Sequence, residues 1–299
     1  MIDYGFPLMT DPNTLKDVVA PPTIMNTVIS QVTGISRVHA GMLTGSLSNV
    51  PWRKSGIKYT NNEIYFDIIE EVDAIIERDG SLVSCEVNGS ILSNCRLTGM
   101  PELLITFNSS RSLEDYSFHP CVKHQNFQLD NVLTFIPPDG NFKLMTYRAN
   151  LSPSQSLPIS LRSSLSSHTT GGRFEFSLNP HFISGIALEN IQATIKISKG
   201  VSNFVGSCNF GKFTTDYHTQ QMIWKIEKLT LKDSIPTLSG TYNSPSNCKL
   251  AAAVDISFSM TMCAISGLKV DSLRVTNEPY KPYKGVRSLT KAGHYQIRI

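Results

Sequence analysis

The 299-residue sequence has no long apolar run, little net charge and few cysteines. No apolar segment approaches the roughly 18 residues that a membrane-spanning helix needs. With a formal net charge of +3, the chain lacks the strong positive field that attracts nucleic acid, so we expect no nucleic-acid partner. The amino terminus has neither the basic start nor the apolar stretch of a signal peptide. Six cysteines without paired spacing indicate free thiols in a reducing compartment.

Motifs of enzyme chemistry are also missing. The sequence contains no Gly-rich phosphate loop, no Gly-x-Ser-x-Gly elbow and no His-Glu-x-x-His. Cys121 and His124 have zinc-like spacing, but no second ligand pair follows at the right distance, which favours an ordinary loop. The acidic run of Glu70, Glu71 and Asp73 is typical of a solvated face. We therefore expect no catalytic residue, no metal and no cofactor.

From Pro51 onward, apolar residues recur with a period of two, as they do in half-buried strands. Four clear runs are Phe174, Phe176 and Leu178; Ile195 and Ile197; Met222, Trp224 and Ile226; and Ile256, Phe258, Met260 and Met262. Many strands without intervening helices predict an all-β antiparallel sandwich. The periodicity does not determine how many cores the sandwich has.

One stretch, residues 61–69, alternates cleanly. Ile64, Phe66 and Ile68 point to one face, which predicts a core, whereas Tyr65 and Asp67 point to the other. A carboxylate beside an aromatic ring can accept a hydrogen bond from a phenol that lies on that ring. From the pattern alone, an ordinary half-buried strand is favoured, and the surrounding sequence changes this interpretation.

Four ordered blocks around this strand carry a resemblance to a known family. They are WRKSGIKYTNNE (52–63) running into DIIEEV (67–72), LTGMPE (97–102), FIPPDGNF (135–142) and ISGLKV (265–270). The blocks resemble the mu homology domain of clathrin-adaptor medium subunits. The ending, YKPYKGVR (280–287) followed by KAG (291–293), is most similar to the mu subunits of the third adaptor protein complex. The resemblance covers essentially the whole chain.

The resemblance implies an elongated pair of β-subdomains, with the second inserted in the first. Subdomain A would comprise residues 51–155 and 262–299, and subdomain B residues 156–261. Helix signals within residues 1–34 resemble the last helices of the longin-like amino-terminal domain of these subunits, whose earlier part is truncated here. Residues 35–50, rich in Gly and Ser, are predicted to form a linker.

Mu homology domains of this kind recognise Tyr-x-x-hydrophobic sorting signals, and the resemblance implies where this chain would do so. The tyrosine pocket matches Tyr65 as an aromatic wall, Asp67 as the acceptor for the phenol, and Arg287 as a guanidinium against the ring. Asn94 stands where endocytic relatives carry a lysine that reaches the pocket. The residues that match the peptide-binding edge and the hydrophobic pocket are Lys284, Gly285, Val286, Ile64, Val270 and Leu273.

Two features of the last 21 residues bear on this edge. Gly285 stands where endocytic relatives carry a tryptophan, and the missing indole removes apolar surface worth ~1–2 kcal/mol. The stretch has five basic residues and no acid, which is typical of a defended sheet edge. The same edge could accept an incoming peptide strand. Lys281, Lys284 and Lys291 also leave open a contact with an anionic membrane surface.

The resemblance thus implies a non-enzymatic cargo-recognition domain of a vesicle coat. It would be cytoplasmic and peripheral on Golgi, endosomal and coated-vesicle membranes. Its expected partners are the cytosolic tails of cargo membrane proteins destined for lysosome-related compartments and the other subunits of a heterotetrameric adaptor complex. The alternative is a coat scaffold or membrane-contacting β-domain that does not bind tyrosine signals.

Overall fold

The structure is a computed structural model that describes residues 2–3, 6–7, 50–108, 113–123, 127, 132–151, 157–244 and 250–299. The predicted helices of residues 1–34 and nearly all of the predicted linker 35–50 lie outside these ranges. Within residues 1–34, two strands of two residues each are described, and they pair antiparallel.

Most of the described residues lie in strands, and a short 3₁₀ turn spans Ile183–Gly185. The strands are β1 Ile2–Asp3, β2 Phe6–Pro7, β3 Glu63–Ile76, β4 Leu82–Arg96, β5 Glu102–Asn108, β6 Leu113–Phe118, β7 Val122–Lys123, β8 Val132–Phe135, β9 Gly140–Ala149, β10 Ile159–His168, β11 Gly171–Pro180, β12 Leu188–Lys196, β13 Ser202–Cys208, β14 Lys212–Asp216, β15 Gln221–Leu229, β16 Thr237–Asn243, β17 Ala253–Thr261, β18 Lys269–Thr276 and β19 Tyr283–Arg298. None of the helical turns in the described ranges is long and apolar enough to cross a membrane.

Three large sheets build the fold. A nine-stranded sheet has the order β14-β15-β12-β17-β19-β3-β4-β9-β6. Two four-stranded sheets, β10-β11-β16-β13 and β18-β5-β8-β7, complete the sandwich. The predicted all-β sandwich is therefore confirmed. The strands within residues 156–261 form one four-stranded sheet and one end of the nine-stranded sheet, while the division into an inserted and a parent subdomain stays a prediction.

Strand β3 has the predicted two-faced character. Every second residue from Ile64 to Ile76 is buried. Each buried aliphatic or aromatic side chain on this face contributes about 1.5–3 kcal/mol relative to exposure. Tyr65 and Asp67 lie on the opposite face, as the alternation predicts. This face positions the candidate site.

The same alternation corrects the interpretation of the acidic run. Glu70 lies on the core side of β3 and is fully buried, so its assignment to a solvated face is wrong. Hydrogen-bond donors inside the core hold its carboxylate. Glu71, one residue later, points to the outer face and forms an ion pair of 2.9 Å with Lys291.

One pairing departs from the predicted antiparallel arrangement, because β19 runs parallel to β3. Parallel neighbours need a long crossover, and here most of the domain lies between the two strands. On its other side β19 pairs antiparallel with β17, but only from Leu289 onward. Met262 N donates to Ser288 O at 2.8 Å where that pairing ends. Among the described strands, residues 283–287 therefore have a neighbour on one side only, and we call them the open edge.

Met262 does not continue the buried run of β17 that the sequence pattern predicts. Strand β17 ends at Thr261, and the Met262 side chain is 85% exposed. Its backbone has a φ of 61°, a left-handed conformation that takes the chain out of the strand direction. The alternation fails here because the chain turns away from the sheet.

Three of the sequence blocks meet at one buried guanidinium. Arg53 is 2% exposed and donates through Nε to Gly99 O at 2.8 Å. Its other nitrogens reach Pro137 O at 3.0 Å and Leu97 O at 2.5 Å. Since a buried charge is tolerated only when its hydrogen bonds are made, this side chain fixes the blocks relative to one another.

Candidate functional site

The four residues predicted for a tyrosine pocket lie together on the outer face of the nine-stranded sheet. Tyr65 and Asp67 come from β3, Asn94 from β4 and Arg287 from β19. The register places Tyr65 opposite Asn94, and Asp67 opposite Arg287. Together they line a cavity of about 530 Å³ whose other walls are Leu92, Ser93, Asn141 and Phe142.

Asp67 and Arg287 form a bidentate ion pair in this cavity. Arg287 Nε donates to Oδ1 and Nη2 to Oδ2, both at 2.8 Å. The hydrogen bonds and charge of Asp67 raise the pKa of the guanidinium above its ordinary value. A carboxylate has about four acceptor positions, so Asp67 can still accept a phenol hydrogen bond while it stays paired. The pair thus supplies a fixed acceptor without net charge.

Asn94 adds a polar group that has no partner of its own. Its Oδ1 is buried and has no hydrogen-bond partner among the described residues. A side-chain amide offers both acceptor and donor atoms, so it can serve a ligand hydroxyl in either role. Among the described residues that line this cavity, Arg287 is the sole cation. The cavity therefore suits a neutral hydroxyl better than an anion.

Tyr65 separates this cavity from a second one. Its hydroxyl donates to Glu63 Oε2 at 3.2 Å, and its ring lies 5.8 Å from that of Tyr283. Burial and then the Glu63 hydrogen bond raise the pKa of this phenol. Gly285 lies opposite Tyr65, and a Cβ at this glycine would overlap the Tyr65 ring. The second cavity, about 470 Å³, is lined by Thr60, Asn61, Asn62, Glu63, Tyr65, Lys281 and Tyr283.

The residues predicted for a hydrophobic pocket lie on the other face of the open edge. Val286 is 44% exposed, whereas Ile64 is fully buried and can form only the floor of such a pocket. Val270 and Leu273 belong to β18, which stands beside this face. Lys284 Nζ donates to Leu273 O, so this lysine connects the open edge with β18.

The backbone of the open edge also has groups to offer. Tyr283 N donates to Asn62 O at 2.9 Å, on the β3 side, whereas Ser288 O faces Met262. In a strand, the N–H and C=O groups of one residue face the same side, and those of the next residue face the opposite side. The backbone groups of Lys284 and Val286 therefore face away from β3, where no described strand pairs with them. They can pair with an added strand.

The basic residues of the last stretch do not form one free patch. Lys284 Nζ contacts Leu273 O, and Lys291 forms the ion pair with Glu71. Lys281 lines the second cavity. The structure thus brings Lys284 to the open edge but places Lys291 further along β19.

Sequence reasoning missed several residues of the site. Asn141 and Phe142 line the first cavity because β9 is the neighbour of β4, a pairing that no local pattern shows. Glu63 and Tyr283 line the second cavity. The alternation of β3 and β19 could have placed these two on the face of Tyr65. Of the zinc-like pair, Cys121 is buried, and His124 lies outside the described residues.

Comparison with known proteins gives a consistent relationship. A sequence model of the adaptor complexes medium subunit family matches residues 50–299. The chain is 41% identical over 303 residues to AP-3 complex subunit mu-1 of Gallus gallus and of Homo sapiens, covering 100% of this chain and 72% of each relative. AP-3 complex subunit mu-2 of Rattus norvegicus shows the same identity and coverage.

Known structures share the fold at low identity. The Fcho1 mu homology domain of Danio rerio with bound Eps15 peptide aligns with a TM-score of 0.60 at 12% identity, over 79% of this chain and 97% of that chain. The yeast delta-COP-I mu-homology domain complexed with a Dsl1 WxWxV peptide aligns with a TM-score of 0.62 at 18% identity, over 80% and 100% of the two chains. A homology model of the full-length AP-3 complex aligns with a TM-score of 0.62 at 21% identity, over 81% of this chain and 69% of that chain.

Proposed function

The chain belongs to the adaptor complexes medium subunit family, and from that membership we propose that it binds Tyr-x-x-hydrophobic sorting signals by adding them as a strand to its open edge. Membership implies a role as an adaptor in vesicle trafficking. The proposal adds the ligand, the site and a non-catalytic mechanism. We place the protein with the other adaptor subunits on the cytoplasmic side of Golgi, endosomal and coated-vesicle membranes, serving traffic to lysosome-related compartments.

The observation that carries this proposal is the placement of a polar cavity on one face of the open edge and of apolar side chains on the other. The cavity with Asp67 and Arg287 lies on the outer face, and Val286 with Leu273 lies on the other. In an extended peptide, side chains an odd number of residues apart point to opposite faces. A tyrosine and a hydrophobic residue three positions later meet this requirement.

The end of the β17 pairing sets the direction of the peptide. Because Met262 N occupies Ser288 O, an added strand can pair only along residues 283–287. The tyrosine pocket lies at the Arg287 end of this segment. Three residues of strand span about 10 Å, so the rest of the signal must run from Arg287 towards Tyr283. The peptide therefore lies antiparallel to β19.

Three kinds of contact would stabilise the complex. Main-chain hydrogen bonds to Lys284 and Val286 contribute about 1 kcal/mol each. The phenol bond to Asp67 is charge-assisted and about twice as strong as a neutral one. A buried leucine adds ~1.5–3 kcal/mol. After the cost of association, we expect a dissociation constant on the order of micromolar or weaker.

Titration calorimetry tests the proposal directly. We expect a Tyr-x-x-Leu peptide to bind, and the same peptide with Ala for Tyr to bind at least ~10-fold more weakly, equivalent to about 1.4 kcal/mol. Asp67→Ala should abolish measurable binding. Glu71→Ala, on the same face of β3 but outside the cavity, should leave it intact. Equal binding of the Tyr and Ala peptides would favour a scaffold that does not read tyrosine signals.

A further inference from the structure

A row of polar side chains crosses four strands inside the apolar core. The register places Thr290 of β19 opposite Glu70 of β3, Glu70 opposite Gly89 of β4, and Gly89 opposite Tyr147 of β9. Thr290 and Glu70 are fully buried, and Tyr147 is 3% exposed. Neither cavity of the candidate site includes any of these residues. The row is therefore a separate feature.

Glu70 is held by hydroxyl and amide donors. Tyr147 Oη donates to Oε1 at 2.8 Å, and Ser266 N donates to Oε2 at 3.0 Å. The Ser266 hydroxyl donates to Oε1 as well. No described lysine or arginine pairs with this carboxylate. Taking a carboxylate out of water is costly, and these hydrogen bonds have to offset that cost, so the contact with Ser266 is not easily lost.

Gly89 makes the contact from Tyr147 possible. A Cβ at this glycine would overlap the ring of Tyr147, so the phenol reaches across β4 only because no side chain lies there. Burial and then the charge of Glu70 raise the pKa of the phenol. The hydroxyl therefore stays protonated and remains a donor.

The row holds the loop that connects β17 to β18, residues 262–268. Thr290 Oγ1 donates to Cys263 O at 3.0 Å and accepts from Ile265 N at 3.1 Å. Ser266 binds Glu70, and its Oγ accepts from Leu268 N at 3.1 Å. Cys263, Ile265 and Ser266 of this connecting loop are thus attached to side chains of the nine-stranded sheet.

Both ends of the connecting loop border the open edge. At one end, Met262 limits the edge through its bond to Ser288. At the other end, β18 begins and carries Val270 and Leu273 beside the hydrophobic face. Strand β18 pairs with β5 and has no ladder with β19. The β5 ladder fixes β18 within its own four-stranded sheet, while the connecting loop and the Lys284 contact attach β18 to the nine-stranded sheet beside the open edge.

We propose that Glu70 is a positioning residue for signal recognition: by holding Ser266 it sets where β18 stands against the open edge, and so sets the preference for the hydrophobic residue. This inference rests on the proposed function. Glu70 itself cannot touch a peptide, because it is fully buried. Glu70 therefore affects the binding of the peptide's hydrophobic residue, the third after its tyrosine, only through the connecting loop. The tyrosine pocket is built from other residues of β3, β4, β9 and β19, and neither hydrogen-bond partner of Glu70 lines it.

The test compares Glu70→Gln with Glu71→Gln, the same change at the next, outward-facing residue. Each protein is titrated with Tyr-x-x-Leu, Tyr-x-x-Ala and Phe-x-x-Leu peptides. We expect Glu70→Gln to reduce the Leu-over-Ala preference at least ~3-fold and to leave the Tyr-over-Phe preference unchanged, because only β18 shifts. Glu71→Gln should change neither preference. Amide exchange within residues 264–268 should accelerate in Glu70→Gln alone.

Tyr147→Phe gives a second route, since it removes one donor to Glu70 and keeps the ring. It carries the same test if Glu70→Gln fails to fold. A full Leu-over-Ala preference in a folded Glu70→Gln or Tyr147→Phe protein overturns the positioning role, as does an equal loss of both preferences. A wild-type protein that treats Tyr and Ala peptides alike would instead refute the proposed function.

Discussion

Gly285 lies beneath the ring of Tyr65. The two residues face each other in the parallel pairing of β19 with β3, and the ring occupies the space that a side chain on Gly285 would need. The position of the Tyr65 ring therefore requires a glycine at residue 285. The second cavity lies beside this contact, and Tyr65 and Tyr283 form its two aromatic walls.

Substitution of Gly285 is therefore expected to act through Tyr65. In Gly285→Ala the new Cβ displaces the ring, and we expect binding of a Tyr-x-x-Leu peptide to weaken several-fold. In a Tyr65→Ala background the same change should have little further effect, because no ring remains to be displaced. The measurement is a double-mutant cycle of dissociation constants, whose coupling term reports the contact. Additive effects would show that the ring and the glycine act independently.

This contact also shows where sequence reasoning stops. The alternation within β3 is enough to place Tyr65 and Asp67 on one face and Ile64 on the other. Which glycine lies under which ring depends on the register between β3 and β19, which are more than 200 residues apart in the chain. A parallel pairing of the two ends of a domain leaves no local signal. The same holds for Gly89 beneath Tyr147.

The wrong assignment of Glu70 to a solvated face has a different cause, because its burial could be predicted from the sequence. It follows Ile68 by two residues and precedes Val72 by two, so the period of β3 places it in the core. The acidic neighbours Glu71 and Asp73 favoured a solvated face instead. The extent of the open edge could not be predicted, since it ends where Met262 adopts a left-handed backbone conformation.

Phosphorylation of the signal tyrosine should abolish binding. Arg287 is already paired with Asp67 through both carboxylate oxygens, so none of the described residues that line the pocket offers an uncommitted cation for a phosphate. A phosphate adds a charge of about −1.5 to −2 and would lie next to the Asp67 carboxylate. Calorimetry with paired peptides measures the effect. Tighter binding of the phosphopeptide would mean that Arg287 releases Asp67 and forms an anion site.

The lysines near the open edge are not expected to add a strong membrane contact. Lys284 is engaged by Leu273 O and Lys291 by Glu71. We expect flotation with anionic vesicles to be unchanged when Lys281, Lys284 and Lys291 are all replaced by Ala, at both low and moderate salt. A salt-dependent loss in the triple variant would instead assign up to ~1 kcal/mol per lysine to the membrane.

Buried thiols predict a loss of stability in alkaline solution. Burial raises the pKa of Cys95 and of Cys263 to about 11, from 9.0. Their contribution is fully present below pH 9 and is lost as the pH rises to about 11, because there the unfolded chain binds fewer protons than the folded one. Urea unfolding between pH 7 and 10.5 should show a falling free energy. The fall should be shallower in Cys95→Ala and Cys263→Ala but unchanged in Cys208→Ala, a partly exposed thiol.

The spacing within the signal provides the sharpest test of strand addition. The cavity at Asp67 and the apolar side chain of Val286 lie on opposite faces of the open edge. Only an odd number of residue steps from tyrosine to leucine points the two side chains to opposite faces of the peptide, so that each meets its own binding surface. Three steps also match the length of the open edge. We therefore expect Tyr-x-x-Leu to bind more tightly than Tyr-x-Leu or Tyr-x-x-x-Leu by at least ~10-fold, close to the ~1.5–3 kcal/mol of a buried leucine.

The control is a matched set in which Ala replaces Leu in each peptide. In the even-spaced peptides this replacement should cost almost nothing, because their leucine has no pocket. In Tyr-x-x-Leu it should cost most of the ~1.5–3 kcal/mol that leucine burial contributes. Equal costs at all three spacings would mean that the peptide is not extended along residues 283–287. The tyrosine cavity and the apolar surface would then bind the peptide in another way. The parallel pairing of β19 with β3 would not determine the spacing between tyrosine and leucine in the signal.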